Sequence, residues 1–200
     1  MRSDERARPS SRMARAAGRV TAWATRSEPP NVFLAFGQHG RLFRAWLPFA
    51  SWLLFRTDLA REDVELLVLR SAWNCASPYE WTQHVALAER AGLDHDLIVH
   101  IGDTALPENR TARQRLLLQA ADELHADHVV TDATRSALLQ QLTTEELIEV
   151  CFVVGHYGMV AMTLNTLEVE TELSARRRLG PRALELADRL QRDLRARRAK

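Results

Sequence analysis

A chain of 200 residues, 46% of them hydrophobic, is long enough for one domain with its own core and two tails. Its formal charge of +1 at pH 7 removes any global electrostatic case for nucleic-acid binding. Two cysteines far apart, Cys75 and Cys151, form neither a disulfide framework nor a zinc spacing, so a reducing, cytoplasmic setting is expected.

Residues 1–29 read as a basic tail, flexible or helical, rich in Arg, Ser and Ala and closed by Pro29-Pro30. The stretch lacks the apolar segment of a secretory signal, and Asp4 and Glu5 oppose a transit-peptide reading. Asn31 then caps a short run, Val32 to Phe36, broken by Gly37 and Gly40. A helix dense in Trp and Leu is predicted from Arg41 to Phe55, with Pro48 as a kink. So much aromatic surface calls for a partner, either the core or another subunit.

Asp58 is the expected cap of a helix from Ala60 to Trp73. Val64, Leu66, Leu67, Val68 and Leu69 cover most of its circumference, which predicts burial on most sides. Glu65 lies in the middle of that helix and must find a partner or take up a proton. The next helix is predicted from Pro78 to just before Gly92, a good left-handed terminator. Then come a short helix over 94–101, a loop over 106–110, helices over 111–126 and 131–142, and a long one to about Leu167 opened by the Thr143/Glu146 capping-box pattern. The apolar run from Val150 to Leu164 is broken by Gly155, His156, Tyr157 and Gly158, so it reads as a buried core helix rather than a membrane span. Gly180-Pro181 separates a final amphipathic, Arg-rich helix, whose basic side reads as a solvated face. No stretch alternates with period two and no repeat has a solenoid period, so the fold class is all-α.

Chemistry concentrates at the joint of the fourth and fifth predicted helices. From a helix start at Ser77, residues Ser77, Glu80 and His84 share one stripe, and Glu80 and His84 are neighbours one turn apart. A carboxylate beside an imidazole is a usable acid–base pair. The same residues also spell a capping box with proline at its first helical position. The two readings are compatible, and the helix dipole would favour ionised Glu80, a base or orienter rather than an acid. Glu65 supplies a second carboxylate if the two helices pack antiparallel. His156 and Tyr157 read either as a hydrogen-bonded core pair or as pocket lining opposite His84, and Asn165 as a buried amide or a ligand contact. His84, His156 and Glu80 have metal-ligand side chains, but no spacing demands a metal, and none is expected. His95, His100, His125 and His128 read as surface residues. Trp23, Trp46, Trp52, Trp73 and Trp81 read as core and interface.

The run from Glu65 through Ser77, Tyr79, Glu80, Trp81 and His84, ending in Ala91-Gly92-Leu93, resembles the carboxymuconolactone decarboxylase superfamily, which includes the alkylhydroperoxidase D-like proteins. A second match runs from Tyr157 to Asn165, with Glu168 after it. The resemblance implies a domain over about 30–171, a C-terminal helical extension over 172–200, and an alkylhydroperoxidase D-like bundle around a central antiparallel helix pair. It implies assembly as trimers or hexamers, with no nucleic-acid or membrane partner. In the peroxidase branch a glutamate precedes Cys-x-x-Cys and a histidine follows four residues later. Here Glu65 and His84 stand at the outer positions, while Ser77 and Glu80 occupy the two cysteine positions. The two-thiol peroxide route is therefore absent, and Cys75 is the one thiol near enough for an alternative redox role. The decarboxylase branch uses no thiol, metal or organic cofactor. It implies acid–base chemistry on a small carboxylated lactone, with Glu80, His84 and Glu65 as catalytic residues. Ser77, Tyr79, Trp81, Arg70, His156, Tyr157 and Asn165 are then the expected substrate contacts, Arg70 and the helix N-terminus near Tyr79 meeting the anion. A non-catalytic oligomeric binding protein is the third reading.

Overall fold

The computed structural model describes residues 11–25, 28–102 and 110–199, so the loop expected over 106–110 falls almost wholly outside it. Among the described residues there are eleven helices and no strand. They are α1 (Arg12–Thr25), α2 (Asn31–Phe36), α3 (Gly40–Phe55), α4 (Arg61–Asn74), α5 (Pro78–Ala91), α6 (His95–His100), α7 (Ala112–Asp127), α8 (Asp132–Leu138), α9 (Thr144–Thr166), α10 (Leu173–Arg176) and α11 (Pro181–Arg198).

Helix α4 is the axis of the bundle and packs against α5, α7 and α9. Its buried residues run unbroken from Asp63 to Leu69, with Ser71 and Ala72 beyond. Burial on every side is what its apolar circumference predicts. Its buried Asp63 is held by Arg113 of α7, with Nε donating at 2.8 Å. The helix is capped by Ala60 rather than Asp58. The preceding backbone is held instead by the Glu149 carboxylate of α9, which accepts the Asp58 and Leu59 N–H groups, each at 3.0 Å.

Helix α5 turns back from α4 through Cys75, Ala76 and Ser77. Ala76 has a positive φ of 48°, and Asn165 Nδ2 of α9 donates to the Cys75 carbonyl at 2.9 Å. The far end of α5 stops at Gly92, whose φ of 100° is open to glycine at little cost, and the Leu93 N–H reaches back to the Ala88 carbonyl at 3.0 Å. Thr111 with Gln114 and Thr143 with Glu146 form complete capping boxes at α7 and α9. Helix α8 stops at Leu138, short of its expected end, and α10 carries no signal recognised in the sequence.

The first and the last of the described helices both join the bundle. Residues 12–25 are helical, with Ala14 fully buried, and α1 packs on α2 and α3. Helix α11 buries Ala183, Leu186, Ala187, Leu190 and Leu194 against α5 and α6, which leaves its arginines outside. Helix α9 is long and apolar enough to cross a membrane, yet half of its apolar window is buried in the protein. Its remaining side exposes Ile148, Phe152, Met159 and Met162, one stripe at helical spacing, beside the exposed Phe49, Trp52 and Phe55 of α3.

Candidate functional site

The principal cavity has a volume of about 550 Å³ and lies between α2, α3, α5 and α9. Phe33, Trp46, Phe55, Tyr79, Tyr157 and the His156 ring give it an aromatic wall, with aliphatic residues between them. Glu80, Gln83 and His84 of α5 supply polar groups, and the exposed Arg90 and Arg178 mark its mouth.

His84 reaches the cavity with one ring nitrogen already committed. Its Nδ1 lies 2.8 Å from Oε2 of the fully buried Glu65. The other carboxylate oxygen of Glu65 accepts from Arg61, one turn earlier on α4, in a close ion pair. The Arg61 guanidinium also sits over the Phe55 ring, 5.3 Å from its centroid. Arg61, Glu65 and His84 thus form a chain of partners that fixes the imidazole plane and leaves Nε2 as the remaining nitrogen. Tyr157 buttresses the ring edge-to-face, with centroids 5.0 Å apart.

Glu80 is in the opposite situation. It is 2% exposed, and neither carboxyl oxygen has a hydrogen-bond partner. Desolvation pushes its pKa up from 4.5 to about 8. The Ser77 hydroxyl is near enough to offset part of that rise, though outside hydrogen-bond geometry. The capping box expected at Ser77 is therefore not formed, and the carboxyl is turned into the protein. Glu80 touches neither His84 nor the helix N-terminus in the way the spacing suggested. At neutral pH it carries a proton, which makes it an acid where a base or orienter was expected.

His156 of α9 faces His84 across the cavity. It is 6% exposed, its Nδ1 has no partner, and it stacks on Trp46 with centroids 6.2 Å apart. Desolvation first, and the His84 charge second, lower its pKa to about 4, so it is neutral. Tyr157 and Tyr79 also line the cavity, and burial raises both phenols well above 10.

Four expected contacts lie elsewhere. Arg70 donates through Nε to Asp122 at 2.6 Å and also meets the Ile101 carbonyl. It serves the junction of α4 with α7 and does not line the cavity. Trp81 is fully buried, donates to the Ala183 carbonyl at 3.0 Å and packs edge-on to Trp73. Ser77 is buried behind the wall, and Asn165 is spent on the backbone of the joint. Cys75 also lies outside the cavity, its Sγ 3.7 Å from His125 Nδ1. Burial first, then the Glu80 charge, push its thiol up to about 11.

Sequence reasoning missed four contributors. Arg61 was legible as the partner of Glu65 at a one-turn spacing. Trp46 reads as core or interface, and Phe33 only as part of the short run Val32 to Phe36. Glu172 gave no local signal. This buried carboxylate accepts from the Tyr79 hydroxyl at 2.9 Å and from the Asn31 N–H and Gln83 Nε2. The Tyr79 oxygen in turn accepts the Val32 N–H at 3.0 Å. Glu172 therefore ties α2, which roofs the cavity, to the side of α5 that walls it.

No family model and no curated protein matches the sequence. Solved structures do match the fold. The core of an alkylhydroperoxidase AhpD, an uncharacterised peroxidase-related protein of Ralstonia eutropha JMP134, superposes with a TM-score of 0.74 at 20% identity, over 82% of this chain and 87% of that one. An uncharacterised peroxidase-related protein of Silicibacter sp. TM1040 gives 0.73 at 16% identity, over 82% and 86%. The debrominase Bmp8, in complex with 2,3,4-tribromopyrrole, gives 0.73 at 12% identity, over 94% and 98%. The chain thus has the all-helical fold of the alkylhydroperoxidase D-like proteins.

Proposed function

We propose that the chain is an enzyme of cofactor-free proton-transfer chemistry, decarboxylating or isomerising a small carboxylated lactone or related ring acid. One observation carries this reading. Two titratable groups line one apolar cavity in opposite environments, Glu80 without a partner and protonated, His84 held through Nδ1 by Glu65. Burial without a partner makes Glu80 the proton donor, and the fixed Nδ1 turns His84 Nε2 toward the cavity as its proton-handling partner.

Loss of carbon dioxide from the substrate leaves the electron pair of the broken C–C bond delocalised into the ring. Glu80 gives its proton to a remote ring carbon, and the double bond moves. Glu80 is not in contact with His84, so it regains its proton from solvent admitted to the cavity, relayed through water from His84 Nε2, and one proton is consumed per carbon dioxide released. In an isomerisation His84 Nε2 takes one proton and Glu80 delivers another. The thiol route gains no support, because Cys75 is outside the cavity and a nucleophilic cysteine needs a lowered pKa, not a raised one.

The test is turnover of a panel of small carboxylated lactones between pH 6 and pH 10. Activity should fall as pH rises through about 8, where Glu80 loses its proton. His84→Gln should lower kcat by about 10²- to 10⁴-fold. Full activity in His84→Gln would sink the assignment.

The proposal extends to assembly, as a trimer or hexamer in the cytoplasm. The stripe of Ile148, Phe152, Met159 and Met162 beside Phe49 and Trp52 is the face that a second copy would cover. Sedimentation velocity should show an oligomer for the wild type and a smaller species for Phe152→Glu; a monomeric wild type would refute this part.

A further inference from the structure

Glu80 and His156 share a property that the proton-transfer reading leaves unused in His156. Both are more than nine-tenths buried, both line the same cavity, and both carry polar atoms that nothing in the protein satisfies. A buried polar group without a partner costs about 1–3 kcal/mol. Folding tolerates that cost twice in one place, and the wall around it is aromatic and unusually flat. Trp46 and the His156 ring are within 13° of parallel, and Tyr157 meets His156 edge-on at 5.2 Å.

No arginine reaches this inner region, and the imidazole of His84 is already engaged by Glu65. Arg61 is engaged by Glu65 and Phe55 and does not line the cavity, while Arg90 and Arg178 stand at the exposed mouth. An anion moved inward would lose its hydration against aromatic carbon, with no arginine to receive it and with His84 already matched by Glu65. A hydroxyl group would suffer no such loss. It donates and accepts at once, so it satisfies His156 Nδ1 whichever ring nitrogen carries the hydrogen.

We infer that the inner part of the cavity is a recognition site for an uncharged planar ring bearing a hydroxyl group, with His156 Nδ1 as the specificity-determining contact and any anionic substituent held outward toward Arg90 and Arg178. The ring slides along the Trp46–His156 face and its hydroxyl meets His156 Nδ1. Selectivity then comes from rejection. An apolar ring of the same shape leaves His156 unsatisfied, and a ring whose only polar group is a carboxylate must turn that group to the mouth.

The inference stands on the cavity alone and needs no turnover, so a binding experiment separates its failure from failure of the catalytic reading. The probes are 4-fluorophenol, 4-fluorotoluene and 4-fluorobenzoate, titrated into the full chain at pH 7 and followed by ¹⁹F NMR. The phenol should bind about tenfold more tightly than either of the others, the worth of one net hydrogen bond. His156→Phe, which keeps a flat ring and removes Nδ1, should abolish that preference and leave 4-fluorotoluene binding unchanged. Equal affinity for the phenol and the toluene, tightest binding of the benzoate, or a preference that survives in His156→Phe would each overturn the inference. Should that variant fail to fold, ¹⁵N-histidine NMR of the wild type decides. A shift of the His156 Nδ1 resonance on adding 4-fluorophenol supports the contact, and an unmoved resonance refutes it.

Discussion

Glu65 and Glu80 are both fully enclosed carboxyl groups, one on each of the two helices that meet at the joint, and they have opposite surroundings. Glu65 is met on one oxygen by Arg61 and on the other by His84. Glu80 is met by nothing. The first works through its partners, and removing it strands them. The second is costly where it stands, and its value lies in the proton that burial makes it keep. Burial of a side chain therefore says little about its role until its partners are counted.

One substitution applied at both positions separates the two cases. Glu65→Gln should cost the larger amount, about 3 kcal/mol at pH 7 by chemical denaturation, because it leaves the enclosed side of Arg61 and the His84 ring poorly matched. A stability loss well under that figure would mean that the Arg61–Glu65–His84 chain is dispensable.

Glu80→Gln should raise stability at pH 7, because the amide avoids the proton uptake that the wild type needs on folding there. Its signature is in pH dependence. The folded pKa of about 8 exceeds the unfolded 4.5, so folding takes up a proton between those values. The contribution of Glu80 to stability is complete below pH 4.5 and is lost as pH rises to 8, by up to about 1.4 kcal/mol per pH unit. His156 acts in the other direction, since its folded pKa near 4 is below 6.5. Its contribution is complete above pH 6.5 and is lost as pH falls toward 4. The two slopes oppose each other below pH 6.5, so the window from 6.5 to 8 isolates Glu80. Melting curves across that window should fall steeply in the wild type and much less in Glu80→Gln. Parallel curves would show that Glu80 is ionised in the folded protein. Ser77→Ala is the finer probe. Removing the hydroxyl that restrains Glu80 should move the upper end of the window further up.

The contrast also explains what could be read from the sequence. Helix existence was legible because apolar spacing and local caps are short-range signals, as at Thr111, Thr143 and Gly92. The antiparallel pair, with Glu65 brought beside His84, followed from a tight joint between two buried helices. The state of Glu80 did not follow. Ser77-Pro78-Tyr79-Glu80 satisfies every local rule for a capping box, but Asn165 and the left-handed Ala76 set the turn, and the carboxyl goes inward. Arg70 and Trp81 were drawn to the site by proximity in sequence, whereas their partners Asp122 and Ala183 come from distant segments. Glu172 had no local correlate, because its partners Asn31, Tyr79 and Gln83 are all far away in the chain.

That last arrangement has a consequence for biosynthesis. A nascent chain leaves the ribosome from its N-terminus. Tyr79, Gln83 and Trp81 emerge first, and their partners Glu172 and the Ala183 carbonyl follow 93, 89 and 102 residues later. The roof over the cavity is therefore latched only after Glu172 has been translated. A product cut short before Glu172 would retain His84, Glu65 and Glu80 and still leave the cavity unsealed.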